Sequence, residues 1–198
     1  MRADLELIYD WVPAGARILD LGCGDGTLLD TLGQRKGVTG YGLEIDPAGL
    51  AACLRRGVNV IEQNLDDGLG NFDDDAFDVV VMTQALQALR RPDSMLVEML
   101  RVAPECIIAF PNFAFWKHRL HLSLRGRMPV SRSLPHAWYD TPNIHLSTFR
   151  DFANLCREKG VRIADEAVGS ADHQPHWTSR RWPNLFGETA IFRVCRGR

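Results

Sequence analysis

The feature that most limits how this chain can fold is the glycine-rich stretch Asp20-Leu-Gly-Cys-Gly-Asp-Gly26. It follows the short apolar run Ile18-Leu19 and leads into helix-compatible residues from Thr27 onward. Glycines at such a turn permit a positive φ and let the backbone come close to a ligand. The stretch therefore predicts a strand, a tight turn and a helix, with a ligand site at the turn.

The spacing of the glycines separates two kinds of nucleotide ligand. A dinucleotide fingerprint, G-x-G-x-x-G counted from Gly22 and Gly24, requires glycine at position 27, where the chain has Thr27. The observed D-x-G-x-G-x-G order instead resembles the first motif of S-adenosylmethionine (SAM)-dependent methyltransferases of the seven-stranded kind. A strand-to-helix turn that needs glycine only for close packing is the alternative.

An acidic residue at the end of the second predicted strand supports a nucleotide-type ligand. Glu44 lies 22 residues after Gly22, close to the distance at which a carboxylate accepts hydrogen bonds from ribose hydroxyls. We include the neighbouring Ile45 in the predicted binding set. A solvated acid before the helix that starts at Pro47 is the competing interpretation.

Residues after the third and fourth predicted strands complete the predicted pocket. In SAM-dependent methyltransferases a carboxylate after the third strand contacts the adenine amino group, and the resemblance aligns Asn64 there, with the Leu65 amide beside it. Asp66 is a substitute for the missing carboxylate. Met82 and Thr83 would flank the methionine half of the cofactor. Ordinary packing at strand ends is the alternative for Asn64, Met82 and Thr83.

Together these residues predict SAM or S-adenosylhomocysteine (SAH) as the ligand. Asp20 suits the α-amino group, and the amides of the glycine loop, at a helix N-terminus, suit the α-carboxylate. Glu44 suits the ribose diol. A pyrophosphate-bearing dinucleotide would need the other glycine spacing.

Strand-like and helix-like segments alternate from the N-terminus to Pro111, which predicts right-handed βαβ units and a parallel sheet. The expected fold is α/β, a Rossmann-like three-layer sandwich. Its sheet would have seven mostly parallel strands with an antiparallel last strand, as in class I SAM-dependent methyltransferases. We expect one domain over residues 1–198, with residues 111–147 inserted between strands five and six. Residues 173–186 look loop-like.

Composition bounds the location and the partners. No apolar run is long enough to span a membrane, and the N-terminus lacks the apolar core of a signal peptide. The five cysteines are scattered and odd in number, which indicates reduced thiols and a cytoplasmic protein. Residues 1–110 carry nine Lys/Arg against 18 Asp/Glu, whereas residues 111–198 carry 14 against seven. Without a long basic run, a nucleic-acid partner is disfavoured.

The inserted segment 111–147 mixes aromatic and basic residues, the composition of interface hot spots. Either a partner or a substrate could bind there. The alternative is a helix that packs Trp116, Leu120 and Leu124 on the core. Our candidate contact residues are Trp116, Arg127, Trp138, Tyr139, Asp140 and His145.

Two histidine pairs, His118 with His121 and His173 with His176, have a spacing that could serve a metal. Neither pair is accompanied by a third ligand of cysteine or carboxylate type, so we predict no metal site.

Five stretches together resemble the methionine biosynthesis protein MetW family. They are Asp20–Leu29, Tyr41–Pro47, Phe110–Phe113, Gly126–Val130 and Trp138–Leu146. The resemblance runs to about Gly160, and its last two stretches are the most specific. It implies a role in methionine biosynthesis, with the chain as partner and activator of a homoserine O-acyltransferase, MetX. A SAM-dependent methyltransferase acting on a small molecule or protein is the alternative, and no catalytic residue is predicted.

Overall fold

The fold is a seven-stranded sheet between two layers of helices, seen in a computed structural model that describes residues 3–131, 133–169 and 177–197. The strands are β1 (Arg17–Leu21), β2 (Thr39–Glu44), β3 (Val60–Glu62), β4 (Val79–Thr83), β5 (Glu105–Pro111), β6 (Arg162–Gly169) and β7 (Thr189–Cys195). The helices are α1 (Ala3–Trp11), α2 (Thr27–Lys36), α3 (Pro47–Arg56), α4 (Pro92–Val102), α5 (Trp116–Arg125), α6 (Phe149–Glu158), α7 (Trp177–Arg181) and α8 (Pro183–Phe186).

The strand order is β3-β2-β1-β4-β5-β7-β6, and β7 runs antiparallel to both of its neighbours. The neighbouring pairs among β1 to β5 are parallel. The chain begins in the middle of the sheet and reverses direction between β1 and β4, which makes the carboxyl ends of these strands the switch point of the fold. The predicted fold class, including the antiparallel last strand, is confirmed.

Alternate residues of the central strands bury opposite faces of the sheet, as the period of a strand requires. On one face Leu19 and Met82 belong to a core shared with α4 and α6. On the other face Ile18 and Val81 pack with α1, α2 and α3. Asp20 shares the second face with Ile18, so a carboxylate stands where the pattern is otherwise apolar.

Local signals in the sequence explain where α3 begins and ends. The Asp46 carboxylate accepts the N–H of Gly49 at 3.0 Å, and Pro47 takes the first helical position, where its missing N–H costs nothing. Gly57 closes the helix in the left-handed conformation with φ 74°. The predicted bounds of this helix match the observed ones.

Residues 112–148 lie between β5 and α6 and, where described, contain only one helix, α5. Trp116, Leu120 and Leu124 on α5 are 39%, 47% and 75% exposed. The expectation that these three side chains pack on the core is therefore wrong, and α5 buries His118 instead.

The loop-like interpretation of residues 173–186 is also wrong over its second half. Two short helices, α7 and α8, occupy it, and Gly187 follows them. The signal for α8 is Pro183 at its first position, the place where proline favours a helix start. The first part, residues 173–176, lies outside the described residues.

Candidate functional site

The glycine loop adopts the conformation that its composition predicts. Gly22, Gly24 and Gly26 have φ values of 71°, 57° and 75°, a region that residues with a side chain rarely adopt. A Cβ on Gly22 would lie 3.0 Å from the Cβ of Ala85, in the segment that follows β4. The loop can therefore pass close to that segment because position 22 is a glycine and has no side chain.

Glu44 fastens the glycine loop to the end of β2. One oxygen of its carboxylate accepts the N–H of Gly24 at 2.8 Å, and the other accepts those of Ile45 at 2.7 Å and Asp46 at 2.8 Å. Hydrogen bonds to a charged acceptor are stronger than neutral ones, about 1.5–3 kcal/mol each. The carboxylate thus fixes the relative position of two chain segments whose backbone borders the switch point.

Asp20 is the least satisfied polar side chain of the site. It is 1% exposed, and its Oδ1 has no hydrogen-bond partner among the residues that the structure describes. Burial, reinforced by repulsion from Glu44, raises the pKa of Asp20 to about 7. A buried carboxylate without a donor fits a site that receives a donor from a ligand, such as an ammonium group.

A cavity of about 350 Å³ opens at the carboxyl ends of the strands. Six of the nine predicted cofactor-binding residues line it: Gly22, Glu44, Ile45, Asn64, Leu65 and Thr83. Asp20, Gly24 and Met82 are not on its wall; Gly24 contacts the wall through its bond to Glu44, and Met82 is fully buried in the core. The structure thus brings most of the predicted residues to one place.

The two polar candidates after β3 have different surroundings. The Asn64 amide oxygen caps a short 3-10 turn, Leu65–Asp67, by accepting the N–H of Asp66 at 3.0 Å. Asp66 also lines the cavity, and its carboxylate accepts the N–H of Arg90 at 2.8 Å. Both residues therefore line the same side of the cavity, at the turn that follows β3.

Several cavity residues were not among the predicted binding residues. Gln84 lines the cavity with φ 60°, an uncommon conformation for a residue with a side chain, which is often found at functional sites. Ala85 follows it. Pro142 and Asn143 reach the same cavity from the inserted segment. A signal existed for Pro142 and Asn143, because they lie in the stretch Trp138–Leu146, whereas nothing in the sequence marks Gln84.

The candidate contact residues of the inserted segment lie at the surface. Trp138 and Tyr139 are 74% and 75% exposed, and their rings meet edge to face with centroids 5.7 Å apart. Arg127, Asp140 and His145 are exposed as well. Trp116 and the leucines of α5 are exposed too, so the inserted segment exposes several large apolar side chains.

His118 has a structural environment. It is 2% exposed, its Nε2 lies 3.0 Å from the hydroxyl of Ser131, and burial lowers the pKa of its imidazole. Because the same hydroxyl accepts the N–H of Leu134, His118 holds both Ser131 and Leu134 to α5. Among the described residues no three His, Cys, Asp or Glu side chains are grouped as a metal site. The pair His173 and His176 lies outside those residues.

Within the described ranges, no helix is both long enough and apolar enough to cross a bilayer.

Comparison with known proteins places these observations in a family. The family model described as "Methionine biosynthesis protein MetW" matches residues 2–194. The chain is 36% identical over 205 residues to the "Bifunctional methionine biosynthesis protein MetXA/MetW" of Rhodopirellula baltica, covering 99% of this chain and 33% of the relative. It therefore spans about a third of that relative's length.

A second relative and a solved structure extend the comparison. The "Ubiquinone biosynthesis O-methyltransferase" of Pseudomonas fluorescens is 34% identical over 133 residues, which are 64% of this chain and 57% of the relative. The crystal structure of an S-adenosylmethionine-dependent methyltransferase from Mesorhizobium loti matches with a TM-score of 0.70. The match covers 98% of each chain at 16% identity, so it shows the shared fold.

Proposed function

Because the chain belongs to the methionine biosynthesis protein MetW family, we propose that it is a partner and activator of a homoserine O-acyltransferase of the MetX type. The inserted segment 111–147 binds the partner, and the cavity at the switch point binds SAM or SAH. The chain is in this proposal a ligand-responsive subunit, and the acylation chemistry belongs to its partner.

The observation that carries the proposal is the relative in which a MetXA part and a MetW part form one protein. Joining two domains in one chain raises the concentration of each at the other, which benefits domains that must touch in order to work. A MetW part that acts on a MetXA part needs a surface at which the two meet.

The inserted segment offers such a surface. Trp138 and Tyr139 expose about three quarters of their area, and Leu124 does the same on α5. Aromatic and aliphatic groups of this size lose unfavourable hydration when a partner covers them, at roughly 25 cal/mol per Å². Arginine at the rim, such as Arg127, adds specificity through carboxylates of the partner.

The cavity supports a SAM-type ligand. Asp20 lies behind the cavity wall, two residues before Gly22, which is part of that wall. It would accept the α-amino group, whose positive charge would relieve a buried carboxylate with an unpaired oxygen. Glu44 would exchange part of its hydrogen bonding with the loop for the ribose hydroxyls, and Asn64 with Leu65 would border the adenine. The glycines with positive φ leave room for the backbone amides of the loop to approach the α-carboxylate of the ligand.

The proposal is tested by assaying a purified homoserine O-acyltransferase with and without this chain. We expect the two proteins to co-elute and homoserine acylation to rise when they are mixed. The double variant Trp138→Ala, Tyr139→Ala should lose both effects, whereas Leu54→Ala, which truncates a 70% exposed leucine on α3, should retain them. Unchanged acylation together with separate elution would refute the partnership.

A second candidate function is methyl transfer to a small molecule or a protein. It is favoured by the 34% identity to an O-methyltransferase and by the cavity at the switch point, which Glu44 lines. Transfer from a sulfonium depends largely on positioning and needs no specialised base. Incubation with methyl-labelled SAM and a metabolite extract should then label a product that a Gly24→Val variant does not form. No label in any fraction would remove this candidate.

A further inference from the structure

Residues 138–146 of the inserted segment combine two features: exposed aromatic side chains and part of the cavity wall. At one end of residues 138–146, Trp138 and Tyr139 are exposed. Four residues later, Pro142 and Asn143 form part of the wall of the switch-point cavity. The same short stretch therefore exposes two large aromatic side chains and also forms part of the cavity wall.

Two backbone hydrogen bonds attach this stretch to the turn that follows β4. The N–H groups of Ile144 and His145 both donate to the backbone carbonyl of Gln87, at 3.0 Å each. Gln87 belongs to the short 3-10 turn Leu86–Ala88 after β4, and its side-chain amide donates to the carbonyl of Gln84 at 2.7 Å. The attachment point of the stretch is thus bonded directly to the cavity residue with the unusual φ.

The attachment point is polar, buried and incompletely bonded. Gln87 is 5% exposed, and its Oε1 has no hydrogen-bond partner within the described part of the chain. An unsatisfied buried acceptor is unfavourable, so an arrangement that supplies a donor to it is favoured. Asn143 lines both the ligand cavity and the small cavity beside Gln87, which puts an amide donor next to both.

Resting on the proposed function, we infer that residues 138–146 couple the occupancy of the cavity to the binding of the partner. A ligand against Pro142 and Asn143 changes the position of the stretch over Gln87. This movement changes the position in which Trp138 and Tyr139 meet the partner. The ligand is of the SAM or SAH class, and Gln87 is a positioning residue that does not line the ligand cavity. By thermodynamic linkage the partner must change the affinity for the ligand by the same factor.

Two measurements test the coupling. Hydrogen–deuterium exchange of the chain alone, with and without SAH, should show altered exchange in residues 138–146 and unchanged exchange in α6. Titration of the acyltransferase should give a dissociation constant that SAH shifts by about fivefold or more, the usual size of a coupling between sites. The dissociation constant of SAH should shift equally when the partner is present.

Two variants sharpen the test. Gln87→Met removes the amide at the attachment point and keeps the side-chain length; it should retain SAH binding and lose most of the coupling. Asn154→Ala truncates an exposed asparagine on α6 and should leave both quantities unchanged. Rescue of the coupling by Gln87→Glu, whose buried side chain can donate a hydrogen bond while its carboxyl is protonated, would tie the effect to hydrogen bonding at this position.

The outcomes separate the inference from the proposed function. SAH binding without a change in exchange at 138–146 and without a shift in partner affinity overturns the inference, although the partnership stands. Failure of the wild-type chain to bind SAH overturns it as well. A change in exchange at 138–146 in a chain that binds no acyltransferase supports the response of the stretch and refutes the partner role.

Discussion

Asp20 makes the stability of the folded chain depend on pH. Its carboxyl group is buried, and its pKa is raised to about 7 because burial and Glu44 both disfavour the charge. In the unfolded chain this group titrates near 3.8. Between these two values the folded state binds a proton that the unfolded state has released. The contribution of Asp20 to stability is therefore present below about pH 4, falls as pH rises toward 7, and is constant above that.

We expect Asp20→Asn to stabilise the ligand-free protein at pH 8. A pKa raised from 3.8 to about 7 corresponds to at most roughly 4 kcal/mol in the free energy of unfolding. Any N–H of the new amide that is left without a hydrogen-bond partner reduces this gain. Urea unfolding at pH 4.5 and 8 measures it: the difference between wild type and variant should grow with pH. Equal differences at both pH values would show that Asp20 is ionised in the folded state throughout.

The same substitution should nearly abolish SAH binding, because the amide cannot supply the charge that an ammonium group requires. In the wild type, affinity should rise with pH up to about 7 as the proton leaves Asp20. Calorimetry at several pH values measures this slope. A stabilised variant that still binds SAH as tightly as the wild type would assign the ammonium group to another partner.

At the scale of elements, α5 is unusual because it turns its leucines outward. Leu124 is 75% exposed and Leu120 is 47% exposed, whereas the polar His118 points inward. A helix normally buries its apolar stripe against the core. The contact between His118 and Ser131 joins the inner face of this helix to the residues that follow it, and the outer face with the leucines stays exposed.

We expect Leu124→Glu to leave the stability of the isolated chain within about 0.5 kcal/mol of wild type, since substitutions at exposed positions rarely cost more. The same variant should weaken the complex with the acyltransferase tenfold or more, because a charge would enter an apolar contact. Leu54→Glu is the matched control, a 70% exposed leucine on α3. Equal affinities for the two variants would exclude α5 from the interface.

How far the sequence predicts these elements depends on the range of the interactions involved. Strand and helix positions follow from local periodicity, and most of the predicted cavity residues follow from the rule that ligands bind where parallel strands end. The attachment of Ile144 and His145 to the Gln87 carbonyl joins segments more than fifty residues apart through backbone groups, which no side-chain pattern encodes. The inward His118 was missed for a related reason: its partner, Ser131, lies beyond the end of the helix, outside the helical pattern.

At the scale of the whole molecule, the site is an assembly of chain segments that are distant in sequence. The glycine loop, the end of β2, the turn after β3, the turn after β4 and residues 142–143 all contribute to one cavity. A ligand that touches all of them resists any unfolding that separates them. Ligand binding should therefore stabilise the cooperative unit formed by the sheet, and a variant that perturbs one segment should weaken stabilisation of the whole.

This leads to an expected thermal shift. A ligand present at 100 times its dissociation constant stabilises the folded state by about 2.7 kcal/mol, and each kcal/mol raises Tm by about 2–4 °C in a chain of this size. SAH at saturating concentration should thus raise Tm by about 5–10 °C at pH 8.

The thermal shift should shrink at pH 6, because the ligand must then displace the proton from Asp20. Scanning calorimetry with and without SAH at the two pH values provides the measurement, with Asp20→Asn as the variant that should show little shift at either. A shift of equal size at both pH values would mean that binding does not require the ionised carboxylate, and a ligand of different charge would then have to be sought for this cavity.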